Sequence, residues 1–253
     1  MKKIILAIIL VFISMTLISC KGRYYPRESG DFLYTKLGVV NPDVNLAIVG
    51  LSEEGKKKET LIFPTILDGF HAKFIGTRFA SGNKPIEISN AKSVYFPSTI
   101  ILRSSIKYQH TEEQNLNIYF GYRFPDPAMY PYKEQIKNSK IFVKYEYLME
   151  EIALGYDNRY NYIPANIAYY IGNNEEDDLF FVDDTDGTKV NVIPPDPYKE
   201  GYNFIGWYKE IEGINKWDFE NDIIPSKQYD EEGEYQFIET KIYAKWEVKQ
   251  WKK

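Results

Sequence analysis

The chain has 253 residues, with 31 Lys and Arg against 36 Asp and Glu, and a single cysteine. A net charge of −5 without a concentrated basic face excludes nucleic acid as a partner, because phosphate binding needs such a face. One thiol makes no disulfide framework, so a buried core must hold the fold.

The first twenty residues are ordered as a secretory signal. Met1-Lys2-Lys3 is positive, Ile4 to Ile13 is almost unbroken aliphatic, and Leu17-Ile18-Ser19-Cys20 follows. The apolar run is diluted by Ser14 and Thr16 and is short for a membrane span, which needs about 20 residues. The last four residues resemble the lipobox of bacterial lipoproteins. That resemblance implies a signal peptide over 1–19 and lipidation of Cys20, each buried CH₂ contributing roughly 0.8 kcal/mol to membrane anchoring. Cleavage would remove Lys2 and Lys3 and no acid, taking the charge from −5 to about −7. Residues 20–43 read as a lipidated tether, broken by Gly22, Pro26, Ser29 and Gly30.

Aromatics (22 Tyr, 15 Phe, 4 Trp) come with β-branched residues, Gly and Pro, which is strand composition. The expected fold class is mainly β with short helices. In the first β domain, over 44–165, Leu46 to Leu51 reads as a buried strand, Ser52-Glu53-Glu54-Gly55 as its turn, and Thr60 to Pro64 as the returning strand. Phe63-Pro64-Thr65 and Phe96-Pro97-Ser98 stand 33 positions apart, with the intermediate strand Ile86-Glu87-Ile88 between them. Pro is tolerated at a strand end, and stacked coils bury the aliphatic positions. These residues, with Ile75-Gly76-Thr77-Arg78-Phe79, resemble the BspA-like leucine-rich repeats of bacterial surface proteins. The resemblance implies a short solenoid, and an irregular antiparallel β domain is the alternative. Arg103 to Asn138 shows no clear repeat, Lys140 to Val143 resumes the strand pattern, and Tyr145 to Leu154 has helical spacing with Leu148 and Ile152 on one face.

A second module is expected over 166–248, with 249–253 as a tail. Asn166 to Tyr170 reads as its first strand. Gly201 permits a tight turn into Tyr202 to Tyr208, whose alternation places Tyr202, Phe204, Gly206 and Tyr208 opposite Asn203, Ile205 and Trp207. Trp217-Asp218-Phe219 and the alternating strand Lys241 to Trp246 follow. The order Pro197-x-x-x-Gly201-Tyr202-x-Phe204-x-Gly206-Trp207-Tyr208, Trp217-Asp218-Phe219, Tyr243-Ala244-Lys245-Trp246 resembles the internalin-type B-repeat, or Listeria–Bacteroides repeat. The resemblance implies a small β-grasp-like domain of bacterial surface proteins, acting as a spacer or adhesion module.

No catalytic, cofactor or metal site is expected. His71 and His110 sit in no metal-binding spacing, and Ser52 misses the Gly-x-Ser-x-Gly elbow by one position and reads as a turn residue. The adjacent pair Glu150-Glu151 does not flank a sugar as glycosidase carboxylates do. The acidic runs Glu175 to Asp178 and Asp183 to Gly187 lack the closing Glu of a calcium loop; the second reads as a solvated hairpin with Asp186-Gly187 as the turn. Tyr156, Tyr160, Tyr162, Tyr169 and Tyr170 are candidates for a sugar-stacking platform or for core positions.

The expected protein is an extracytoplasmic lipoprotein, anchored to a bacterial membrane or cell surface through Cys20. Its expected role is non-catalytic binding or adhesion to a protein or glycan ligand of the host or envelope. The alternatives are a glycan-binding lipoprotein that assists a partner enzyme or transporter, and a purely structural envelope protein.

Overall fold

A computed structural model describes residues 26–37, 45–76, 85–102, 106–108, 115–121, 139–153, 161–173 and 178–250. The described residues are mainly β and stack in three layers, in which one parallel sheet has a core on each side.

The described residues begin inside the stretch expected as a tether. β1 (Arg27–Ser29) and β2 (Phe32–Leu37) pair antiparallel around Gly30, which adopts φ 54°. The turn residues that suggested a spacer make this hairpin, and Phe32 and Tyr34 drive it into the core. β3 (Asn45–Leu51) is the buried strand expected there and pairs with β2. The turn after it contains one 3₁₀ turn, Gly55–Lys57. β4 (Thr60–Ile62) does not return alongside β3 and belongs to a different sheet. Ser52 fixes this transfer: its Oγ donates to the Gly30 carbonyl at 3.0 Å and accepts from the Gly55 N–H at 3.0 Å.

Next come β5 (Ile66–Leu67), β6 (Phe70–Ile75), β7 (Ile86–Ile88) and β8 (Ser93–Phe96). β9 (Ile101–Leu102), β10 (Ile106–Tyr108), β11 (Asn117–Phe120) and β12 (Lys140–Lys144) lead to helix α1 (Tyr145–Ala153) and β13 (Asn161–Ala165). The central sheet runs β13-β12-β11-β8-β4, parallel throughout. Leu61 pairs with Val94, 33 positions on, so the Phe-Pro spacing in the sequence is the length of one coil. Later coils are shorter, taking Val94 to Ile118, Ile118 to Ile141 and Ile141 to Tyr162. The region is solenoid-like and irregular, and its stacking is parallel, unlike the antiparallel alternative. β3, β6 and β9 stack in parallel on the opposite side, and β7 pairs parallel with β10.

Side-chain alternation gives the central sheet two different faces. Leu61, Val94, Ile118 and Ile141, with Phe63, Phe96, Phe120 and Val143, fill the core against β2, β3 and β6. Ile62, Tyr95, Tyr119, Phe142 and Ile163 point the other way, into a second core shared with the carboxy-terminal module. β13 is an edge strand whose Pro164 offers no N–H, so no further coil can pair through that position.

Asn166 alone separates β13 from β14 (Ile167–Tyr170), the strand expected to open the second module. β15 (Leu179–Asp183), β16 (Tyr202–Tyr208), β17 (Gln228–Tyr229), β18 (Tyr235–Gln236) and β19 (Thr240–Val248) complete the described strands. The order β15-β14-β19-β16, with β14 and β19 parallel and both outer pairs antiparallel, is β-grasp-like. The simple alternation expected along β16 fails. A bulge between Phe204 and Gly206 shifts the register, so Phe204 and Trp207 touch edge-on at 5.2 Å instead of facing apart. Gly206, at φ 144°, faces the Lys216 side chain.

β15 lies across β8, β11 and β12. Gly121 follows Phe120, the partner of Phe96, and so stands where Pro97 stands one coil earlier. A Cβ there would overlap the Phe180 carbonyl oxygen. Gly121→Ala is therefore expected to cost ~1–3 kcal/mol, measured as a lowered urea midpoint. An unchanged midpoint would refute this packing.

Candidate functional site

The seam between the repeat region and the second module is built on rings. Parallel, in-register strands place the same coil position side by side, and Tyr95, Tyr119 and Phe142 occupy it. Tyr95 stacks on Tyr119 at 4.1 Å and Tyr119 on Phe142 at 4.4 Å. Phe181 of β15 continues the pile on Tyr95 at 5.2 Å. Ser98 N–H donates to the Phe180 carbonyl at 2.8 Å, Thr65 Oγ1 donates to the Asp196 carbonyl, and His71 stacks on Tyr198 at 4.3 Å.

Asp183 ends β15 at 0% exposure. Its Oδ1 accepts from Tyr95 Oη at 3.1 Å, Asp184 N–H at 2.9 Å and Asn191 Nδ2 at 3.0 Å; Oδ2 accepts from Asn191 N–H at 2.7 Å. Burial pushes its carboxyl above the ordinary range, and those donors oppose the shift. The Tyr95, Tyr119 and Tyr169 hydroxyls are also held well above their ordinary value, first by burial and then by the Asp183 charge. Beside it, Lys227 Nζ pairs with Asp184 Oδ2 at 2.7 Å and Lys227 N–H donates to Asp186 Oδ1 at 2.8 Å. Asn166, the first residue of the second module, is fixed inside it: Nδ2 donates to the Thr185 carbonyl at 2.8 Å, Oδ1 accepts from Thr185 N–H at 3.2 Å, and its carbonyl accepts from Thr240 N–H at 2.8 Å.

The acidic turn is thus no solvated hairpin. Asp183 belongs to the core, and the chain runs on through a long extended segment before β16. Asp183 satisfies its oxygens within the protein, and the Lys227 ammonium lies against Asp184. Among the described residues no group of three or more His, Cys, Asp or Glu side chains is placed to hold a metal ion.

The other candidates scatter. Cys20, His110, Tyr156, Tyr160 and 175–177 lie outside the described residues. His71 is pushed down to about 4, first by burial and then by Lys73. Tyr169 and Tyr170 are fully buried and Tyr162 packs against the first core, so the described members of this set make no open platform. Glu150 is exposed on α1. Asn191, Asn166 and Glu239 carry the polar seam but no motif marks them. The one available signal was Asp183 itself, an acid closing the apolar run Leu179 to Val182.

The structure defines a mainly β protein in which a solenoid-like region is fused to a β-grasp-like module. Residues 170–230 of that module match the family model of the Listeria-Bacteroides repeat domain, a domain typical of surface proteins. No curated protein matches the chain.

Proposed function

We propose that the protein is a non-catalytic binding or adhesion lipoprotein, held outside the cytoplasm by acyl chains on Cys20 and recognising a macromolecule of the host or envelope. The observation that carries this reading is the surface of the matched repeat domain. Tyr202, Ile205, Ile214 and Tyr229 are exposed there, while the ring ladder of the solenoid sheet is consumed inside the molecule. The leucine-rich-repeat resemblance adds a second element common on bacterial surfaces. Contact therefore falls to the edges and loops rather than to the central sheet face, which β14 and β15 cover. Among the described residues no helix is long and apolar enough to cross a membrane.

Beads carrying the mature chain are expected to show saturable retention on mucin or epithelial surfaces, and Tyr229→Ser with Ile214→Ser to reduce it. Retention equal to blank beads would leave the structural-envelope alternative. Turnover of a polysaccharide would overturn the non-catalytic reading. Anchoring has its own test: Cys20→Ala is expected to move the protein from the membrane fraction to the soluble extracytoplasmic fraction. Retention in the membrane would count against lipidation.

A further inference from the structure

Residues 237–239 connect β18 to Thr240, the first residue of β19, and Phe237 lies against α1, which belongs to the repeat region. Phe237 stacks on Tyr145 of α1 at 4.3 Å, and Thr240 N–H donates to the junction carbonyl of Asn166 at 2.8 Å. Between them sits Glu239, whose side chain is only 7% exposed. Its Oε2 accepts from Tyr170 Oη at 3.3 Å and lies 3.9 Å from Lys241 Nζ; its Oε1 is buried with no partner among the described residues. A buried carboxylate with an unpaired oxygen is a costly arrangement, and a neutral carboxyl removes most of that cost.

Charged groups from the neighbouring elements face it. Glu146 of α1 opposes a second negative charge. Lys144 of β12 and Lys241 of β19 favour it, and Tyr170 of β14 supplies the hydroxyl. The lysines are shared: Lys144 Nζ lies 3.6 Å from Glu146 and 5.3 Å over the Tyr170 ring.

We propose that residues 237–240 are a strap that fastens the repeat domain to α1, and that it loosens when Glu239 gives up its proton. Loosening would part the Phe237 and Tyr145 rings and shift Tyr235, which touches both Phe237 and the exposed Tyr229. Burial first, and Glu146 second, push the Glu239 carboxyl from its ordinary 4.5 up to about 7, so the group titrates close to neutrality. The sign follows from linkage. The closed strap holds the proton more tightly than the open one, so closure is strongest in acid and weakens as pH rises from 4.5 through 7, then levels off. Opening grows about sixfold per pH unit between roughly pH 5 and 7, and about 20-fold in all from pH 5.5 to 7.5.

The test is hydrogen–deuterium exchange at the Thr240 amide of the full chain, corrected for the intrinsic chemical rate. Protection is expected to fall about 20-fold between pH 5.5 and 7.5. Glu239→Gln, which keeps the shape of the neutral acid, is expected to show equal protection at both values. Glu146→Gln is expected to raise the protection measured at pH 6.5, because it removes the charge that disfavours the closed anion from the site while Glu239 titrates over a narrower range. Protection independent of pH in the unmodified chain, or an unaltered pH dependence in Glu239→Gln, would overturn the strap.

Discussion

Cutting the chain between Ala165 and Asn166 is expected to leave two fragments without a cooperative melt, whereas the intact chain unfolds as one unit. The central sheet presents Ile62, Tyr95, Tyr119, Phe142 and Ile163 on the face that the second module covers. Tyr95, Tyr119 and Phe142 are nearly fully buried only because that cover is in place. Burying each such ring is worth ~1.5–3 kcal/mol, so the three together supply about 5–9 kcal/mol. That is comparable with the whole stability of a typical domain, about 5–15 kcal/mol. The second module loses as well, because Phe181 and Asp183 both find Tyr95 across the cut. The measurement is thermal unfolding of the full chain and of fragments 26–165 and 166–250, followed by near-ultraviolet circular dichroism. A sharp transition for 166–250 close to that of the intact chain would show that the module is an independent bead and that the shared core is marginal.

The strands of the second module were legible because its punctuation is local: Gly201 starts β16, and the Tyr-Ala-Lys-Trp run alternates through β19. The coil length was legible from two Phe-Pro units, since identical spacing and parallel pairing are one fact seen twice. β11 escaped notice because Leu116 to Phe120 is a short apolar run, and Gly121 replaces the proline that marks the coil before it. Which sheet took Thr60 to Ile62 was equally hidden, because a strand's sequence carries its faces but not its neighbours.

Faces themselves were read well only where the backbone is regular. The alternation along β16 broke at Ile205, since a bulge changes side-chain phase without any change in composition. The candidate site was the least legible part. Sequence reasoning placed the acids of 183–187 in water because Asp and Gly favour exposed turns. The structure puts Asp183 at the centre of a seam whose partners come from 88 positions upstream, Tyr95, and 8 downstream, Asn191. Long-range polar pairing of that kind leaves no periodicity, and a buried acid resembles a surface acid until its neighbours are known.

Asp183→Ala is expected to destabilise the protein by about 2–4 kcal/mol, a fall of roughly 6–12 °C in Tm for a chain of this size. The substitution removes the one acceptor shared by Tyr95 Oη, Asp184 N–H, Asn191 N–H and Asn191 Nδ2, leaving donors in or beside a core with nothing to bond. Asp183→Asn separates charge from hydrogen bonding. Its amide keeps one acceptor oxygen but must turn an NH₂ group toward donors that met Oδ1 or Oδ2, so it recovers only part of the loss. Tyr95→Phe removes a single donor at 3.1 Å, keeps the ring ladder, and is expected to cost about 1 kcal/mol. If Asp183→Ala and Asp183→Asn both melt with the parent chain, the seam is held by its rings alone. If the alanine variant falls furthest and Tyr95→Phe least, the buried carboxylate fixes how the repeat domain sits on the solenoid, and the ladder beneath it supplies the bulk of the adhesion between them.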